Sequence, residues 1–157
     1  MLTVRRAEEK DIPGVLGLLS EVLEIHAGIR PDIFVPGTTK YTEDELAEMF
    51  RDDERPVYVA AEEDGRVLGY AFCVIERQPD AAFMVPFESF YIDDLCVEAS
   101  ARKRGIGAML FRHVKEEAIK RGFYEITLNV WEGNDAARRF YESMGMKPKK
   151  TQMELVL

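Results

Sequence analysis

Cysteine occurs only twice in 157 residues, at Cys73 and Cys96, histidine only twice and tryptophan once. Two thiols inside strand-like apolar segments cannot build a disulfide scaffold or a four-ligand zinc site, so reduced, buried cysteines and no metal centre are expected. No uninterrupted apolar run approaches the roughly 18 residues that cross a bilayer, so no membrane span is expected. The chain becomes charged at Arg5 and Arg6 before the apolar region of a secretory signal can form, which points to the cytoplasm. A basic surplus is missing too. With 21 Lys+Arg against 29 Asp+Glu and a net charge of -8, the balance argues against general nucleic-acid binding, which needs a cationic surface to neutralise phosphates.

What the chain does have is 46% apolar and 10% aromatic residues, enough to fill the core of a single domain over residues 1–157. Its charge is unevenly placed. Residues 1–94 hold 9 basic and 21 acidic side chains, whereas residues 95–157 hold 12 and 8. A cationic second half suits an anionic ligand, and an acidic first half suits a cationic one.

Patterning predicts a strand at 2–6 and a helix capped by Asp11, with Pro13 in its first turn, running to His26. The breakers Gly28, Pro31, Pro36 and Gly37 make 27–41 a long loop. Thr42 and Glu45 form a capping box for a helix to Phe50. Strands at 57–61 and 66–75 are joined by Asp64-Gly65, a tight-turn dipeptide. A third strand follows at 89–97, then a helix at 106–121, a strand at 125–130, a helix at 134–143 and a final strand at 151–157. Hairpins first and alternation second imply an α/β fold with a mixed, mostly antiparallel sheet flanked by helices.

Between the strand ending at Val97 and the helix starting at Ile106 lies Arg102-Lys103-Arg104-Gly105-Ile106-Gly107-Ala108. A helix N-terminus offers unpaired N–H groups and the positive end of a dipole, and glycines let a phosphate approach closely. A Walker loop is ruled out because Gly-Lys-Ser/Thr is absent, and a dinucleotide fingerprint because Leu110 stands where its third glycine is needed. What remains is Arg-x-x-Gly-x-Gly. Together with Leu95-Cys96-Val97 before it and the run from Asn134 to Met146, which includes Phe140-Tyr141-Glu142 and Gly145, it resembles the GNAT superfamily of acyl-CoA-dependent N-acyltransferases.

The resemblance implies a fold whose central strands splay apart, an acetyl-CoA cosubstrate with no metal, and transfer of an acetyl group to a primary amine on a small molecule or protein. Main-chain groups of Arg102, Lys103, Arg104, Gly105, Ile106, Gly107 and Ala108 would cradle the CoA diphosphate. The segment Leu95, Cys96 and Val97 would line the pantetheine arm, and Asn134 would contact the cofactor near the gap. The Val97 N–H would stabilise charge on the thioester oxygen, and Tyr141 would protonate the departing thiolate. Members often dimerise, so a homodimer is a further expectation.

An alkylammonium has a pKa of about 10, so a base or a water relay must leave some amine neutral. Asp93 and Asp94 are candidates, with Glu88 behind them. Simple alternation puts Asp93 on the face of Tyr91, Leu95 and Val97, and Asp94 on the other, which favours Asp93. In the family that base also occurs at the strand position held here by Asn129. His26 and the loop after it resemble the acceptor-side loop, Trp131, Arg138 and Arg139 would border the nucleotide, and His113 is expected in solvent. The competing reading is a catalytically silent acyl-CoA sensor, which would keep the glycine loop and lose the acid.

Overall fold

Asp64-Gly65 turns the chain as its chemistry predicts: Gly65 takes φ +90° and the Glu62 N–H donates to the Arg66 carbonyl at 3.0 Å. A computed structural model describes all 157 residues. Its strands are β1 (Thr3–Arg6), β2 (Val57–Ala61), β3 (Val67–Arg77), β4 (Glu88–Val97) and β5 (Glu125–Leu128). Its helices are α1 (Ile12–Ile29), α2 (Glu43–Met49), α3 (Ile106–Lys120) and α4 (Asp135–Ser143). One sheet runs in the order β1-β2-β3-β4-β5; β1 to β4 are antiparallel and β5 is parallel to β4. The mixed, mostly antiparallel sheet flanked by helices is therefore present.

Period-two side-chain alternation gives the sheet two buried faces. Tyr70, Phe72 and Cys96 face α1 and α2, meeting Leu18, Leu19 and Leu46. Cys73, Phe90 and Ile92 face α3, meeting Ile106, Leu110 and Val114. Both cysteines are free and buried, one on each face. Within Glu9–Ile29 an 18-residue window reaches a mean hydropathy of 1.4, so α1 with the turn before it is long and apolar enough to cross a membrane. A count of uninterrupted apolar residues misses this. The apolar stripe Val15, Leu18 and Leu19 is nonetheless buried against the sheet, as in the core helix of a globular fold.

The seating of α3 on the sheet depends on Gly69. A Cβ there would lie 2.9 Å from the Cys96 carbonyl oxygen and 3.0 Å from Leu110 Cδ1. Backbone on one side and helix on the other leave no room for a methyl group. Gly69→Ala should therefore destabilise the protein by about 1–3 kcal/mol, read as a lower midpoint in guanidinium unfolding.

Several boundaries differ from expectation. Helix α1 continues to Ile29, so the loop after it is shorter. Asp11 is not the side-chain cap of α1. It is buried, takes two hydrogen bonds from Arg5 at 2.7 and 3.0 Å, and accepts the Glu8 N–H at 2.8 Å, because a buried carboxylate needs more partners than one cap supplies. Strand β5 stops at Leu128 rather than Val130. Residues 151–157 form no strand. They alternate like one, but no neighbouring strand hydrogen-bonds to them, and such a segment gains no ladder energy. Ion pairs from Lys149 to Glu125 (2.8 Å) and from Arg30 to Glu154 (2.7 Å) tether this end of the chain instead.

Candidate active site

Strand β5 follows β4 for four residue pairs, from Ser89 opposite Glu125 to Ile92 opposite Leu128. From Asp93 onward β4 keeps β3 on one edge and has no strand on the other. The expected splay is present. The Glu98 N–H donates to the Leu68 carbonyl on the β3 side at 2.8 Å. Alternation then turns the main-chain groups of Cys96 toward β3 and those of Leu95 and Val97 toward the open edge. The edge a ligand can pair with thus belongs to Leu95 and Val97, and Cys96 leaves the set. Its side chain packs beneath α1 and burial pushes its thiol up to about 12, so it is no nucleophile.

The open edge leads to the start of α3. Lys103 and Gly105 both take left-handed backbone, at φ +70° and +76°. For lysine that conformation costs on the order of 1 kcal/mol, so the loop geometry is imposed against local preference. Thr42 caps α2 and Asn134 caps α4 with a side-chain oxygen, whereas α3 begins at Gly105 with no side-chain cap. Its first N–H groups are left open. A cleft of about 270 Å³ lies over them, lined by Val97, Arg102, Lys103, Gly105, Ile106, Gly107, Ala108 and Phe140. A Cβ on Gly107 would sit 3.2 Å from the Phe140 ring, so this glycine admits the ring that walls the cleft. Arg104 is turned away onto Glu62 at 3.3 Å. Uncapped amides flanked by Arg102 and Lys103 fit a diphosphate. A larger hollow of about 430 Å³ between α1 and the β2–β3 turn has Lys10, Glu21, Arg66 and Glu98 in its lining and neither Asp94 nor Tyr141.

At the fork a β-bulge overturns the simple alternation. Phe72 opposes Asp94 and Cys73 opposes Ile92, so Asp93 is the extra residue. Leu95 and Val97 pack on the α3 face, while both carboxylates turn to the α1–α2 face. Asp93 accepts a 2.7 Å ion pair from Lys40. Asp94 accepts the Tyr70 hydroxyl at 2.7 Å. Burial pushes Asp94 up to about 6, and the Tyr70 hydrogen bond and the Lys40 charge pull back only part of the way.

Glu88 is six residues from Asp94, about 20 Å along the strand, and pairs with Arg77 at 2.9 Å, so it drops out as a base. Asn129, just past β5, donates to the Tyr91 hydroxyl at 3.1 Å. Asn134 spends its side-chain oxygen on the Ala137 N–H (3.3 Å), which leaves its amide nitrogen for a ligand. Tyr141 on α4 is half-buried beside Phe140 and Phe111. Burial first, then the Asp94 charge and the cysteines, raise its pKa and keep it protonated at neutral pH. Trp131 packs edge-on against Phe34, under Arg30, on the loop side of the fork. His26 stacks on the same Phe34, at 5.2 Å, and burial and the Lys40 charge lower its pKa. Arg138 pairs with Glu132 and Glu142. His113 is half-buried against Tyr58 at 4.8 Å rather than in solvent. No group of three or more His, Cys, Asp or Glu side chains is placed to hold a metal.

A family model for the acetyltransferase (GNAT) family matches residues 20–146, which includes the fork, the glycine loop and α4. The chain belongs to the GNAT acetyltransferase family. Among curated proteins it is similar to GCN5-related N-acetyltransferase 6, chloroplastic, of Arabidopsis thaliana, 34% identical over 86 residues. That match takes in 55% of this chain and only 28% of the plant protein's length. The BH1408 protein of Bacillus halodurans superposes with a TM-score of 0.93 at 29% identity, covering 99% of each chain. An acetyltransferase of Trypanosoma brucei shares the fold at a TM-score of 0.74 and 24% identity over the whole of both chains. In this GNAT chain the splayed β4 and the uncapped α3 are contiguous, and the carboxylates lie where β5 leaves off.

Proposed function

We propose that the protein is a cytoplasmic N-acetyltransferase that uses acetyl-CoA and acts on a primary amine. The observation that carries the reading is the continuity between the unpaired β4 edge at Asp93–Val97 and the uncapped start of α3. One extended ligand with a diphosphate at one end and a peptide-like arm at the other suits that track. The two buried, unpaired cysteines accord with a reducing compartment.

Bound acetyl-CoA supplies an activated acyl thioester. The amides of Lys103 to Ala108, with Arg102 beside them, hold the diphosphate, and Leu95 and Val97 pair with the arm through their open main-chain groups. The Val97 N–H, pointing into the gap, donates to the carbonyl oxygen as negative charge grows there. Asp94, with a pKa near 6, is ionised at neutral pH and yet basic enough to take a proton from the incoming amine. Tyr141 keeps its proton until the sulphur needs it, and its hydroxyl receives no hydrogen bond from any side chain. In this reading Asp94 acts as the base, and Asp93, on the same face and already holding an ammonium, is an anchor.

Thiol release from acetyl-CoA, followed with DTNB across a panel of alkylamines, polyamines, aminoglycosides and lysine peptides, tests the reading. Amine-dependent release on at least one class is expected. Tight acetyl-CoA binding with no release on any amine would make the protein an acyl-CoA sensor.

A further inference from the structure

Lys40 belongs to the strap between α1 and α2, in which residues 35–40 are exposed, yet its side chain reaches back to the sheet. Its Nζ lies 2.7 Å from Asp93 Oδ2 and 5.3 Å from the centre of the Tyr41 ring. Tyr41 is itself fixed by stacking on Phe72 at 5.6 Å. The carboxylate of Asp94, held by Tyr70, adds a second negative charge nearby. An ammonium ion is thus held by a carboxylate, an aromatic face and a further anionic field, a combination that recognises alkylammonium ions generally. Its position is as telling as its chemistry. Asp93 is the first β4 residue beyond the last β4–β5 pair and the neighbour of Asp94, so this ammonium sits at the mouth of the fork.

We propose that Lys40 is a tethered stand-in for the acceptor: Asp93 and the Tyr41 ring form the subsite for the ammonium end of a primary alkylamine, which enters by displacing Lys40. The proposal rests on the acyl-transfer reading of the same site and deepens it by naming the acceptor class as cationic alkylamines. The pair is displaceable because it is only partly buried, with 47% of the Lys40 side chain and 27% of the Asp93 side chain exposed. A tethered competitor is present at high effective concentration, so the acceptor's apparent affinity falls by the fraction of time the subsite is occupied. Neutral and acidic acceptors have no means of replacing it.

The test uses n-butylamine, which is the Lys40 side chain without its backbone, titrated by NMR into the protein without CoA. Lys40→Ala and Lys40→Gln should each bind it about tenfold more tightly than the wild type, and Lys40→Ala combined with Asp93→Asn should lose that binding. Equal affinity in wild type and variants, no binding to Lys40→Ala, or binding that survives Asp93→Asn would overturn the proposal. On any amine that is turned over, Lys40→Ala should lower KM about tenfold with kcat within about twofold. A fall in kcat at constant KM would also overturn it, making Lys40 a positioning residue. Failure of the acyl-transfer reading is separable: no amine would then release thiol from acetyl-CoA with wild type or variants, whether or not acetyl-CoA binds, and the butylamine comparison would stand unaffected.

Discussion

Replacing Tyr141 with phenylalanine should lower kcat by about two orders of magnitude while leaving acetyl-CoA affinity within about twofold. The phenylalanine ring keeps the packing against Phe140 and Phe111 and removes only the hydroxyl. A CoA thiol has a pKa near that of a free cysteine, about 8.5, so its thiolate is a poor leaving group at neutral pH unless a proton arrives with it. Burial and the charge of Asp94 raise the Tyr141 pKa, so its proton is available at neutral pH. Steady-state kinetics together with calorimetry of acetyl-CoA separates the roles. Equal losses in turnover and binding would reduce Tyr141 to a packing residue.

Asp94→Asn should cost a comparable factor, about a hundredfold in kcat, and should change the pH profile as well. In the wild type kcat should rise as pH passes through about 6, where Asp94 loses its proton, and this limb should vanish in the variant. Stability should move the other way. The folded-state pKa lies above the ordinary value of 3.8, so the native state binds the proton more tightly than the unfolded chain, and stability falls as pH rises from about 4 to about 6. Asparagine carries no such charge and still accepts from Tyr70. Asp94→Asn should thus be more stable than the wild type at pH 8, by roughly 1–2 kcal/mol after discounting for partial solvent exposure, with the gap closing toward pH 4. Thermal melts at pH 4, 6 and 8 give the comparison. A variant less stable at pH 8 would mean that the Tyr70 hydrogen bond, and not burial of charge, dominates at this position.

The glycine loop was legible in the sequence because its chemistry is local: Arg102, Gly105 and Gly107 fall between a strand and a helix, and backbone freedom and charge can be read from residue type. The Asp64-Gly65 hairpin and the Thr42–Glu45 capping box were legible for the same reason, and the box forms with both reciprocal hydrogen bonds. The faces of Asp93 and Asp94 were not. Alternation assumes an unbroken pleat, and one inserted residue brings two carboxylates to the same side, something no pattern of residue types announces. Lys40 was invisible because a loop carries no periodicity, and its partner Asp93 is 53 positions away. Residues 151–157 show the opposite failure, a strand-like pattern with no neighbouring strand to pair with it.

The most direct measurement is a titration of isotope-labelled protein with CoA, following backbone amide shifts by NMR with heats taken in parallel. Saturable shifts concentrated at Leu95, Val97 and Lys103 to Ala108, with matching heat, are the result expected of a ligand lying along the open β4 edge onto the start of α3. A well-folded protein that gives no heat, or whose shifts cluster elsewhere, would contradict that placement and, with it, the roles given to Tyr141 and Asp94.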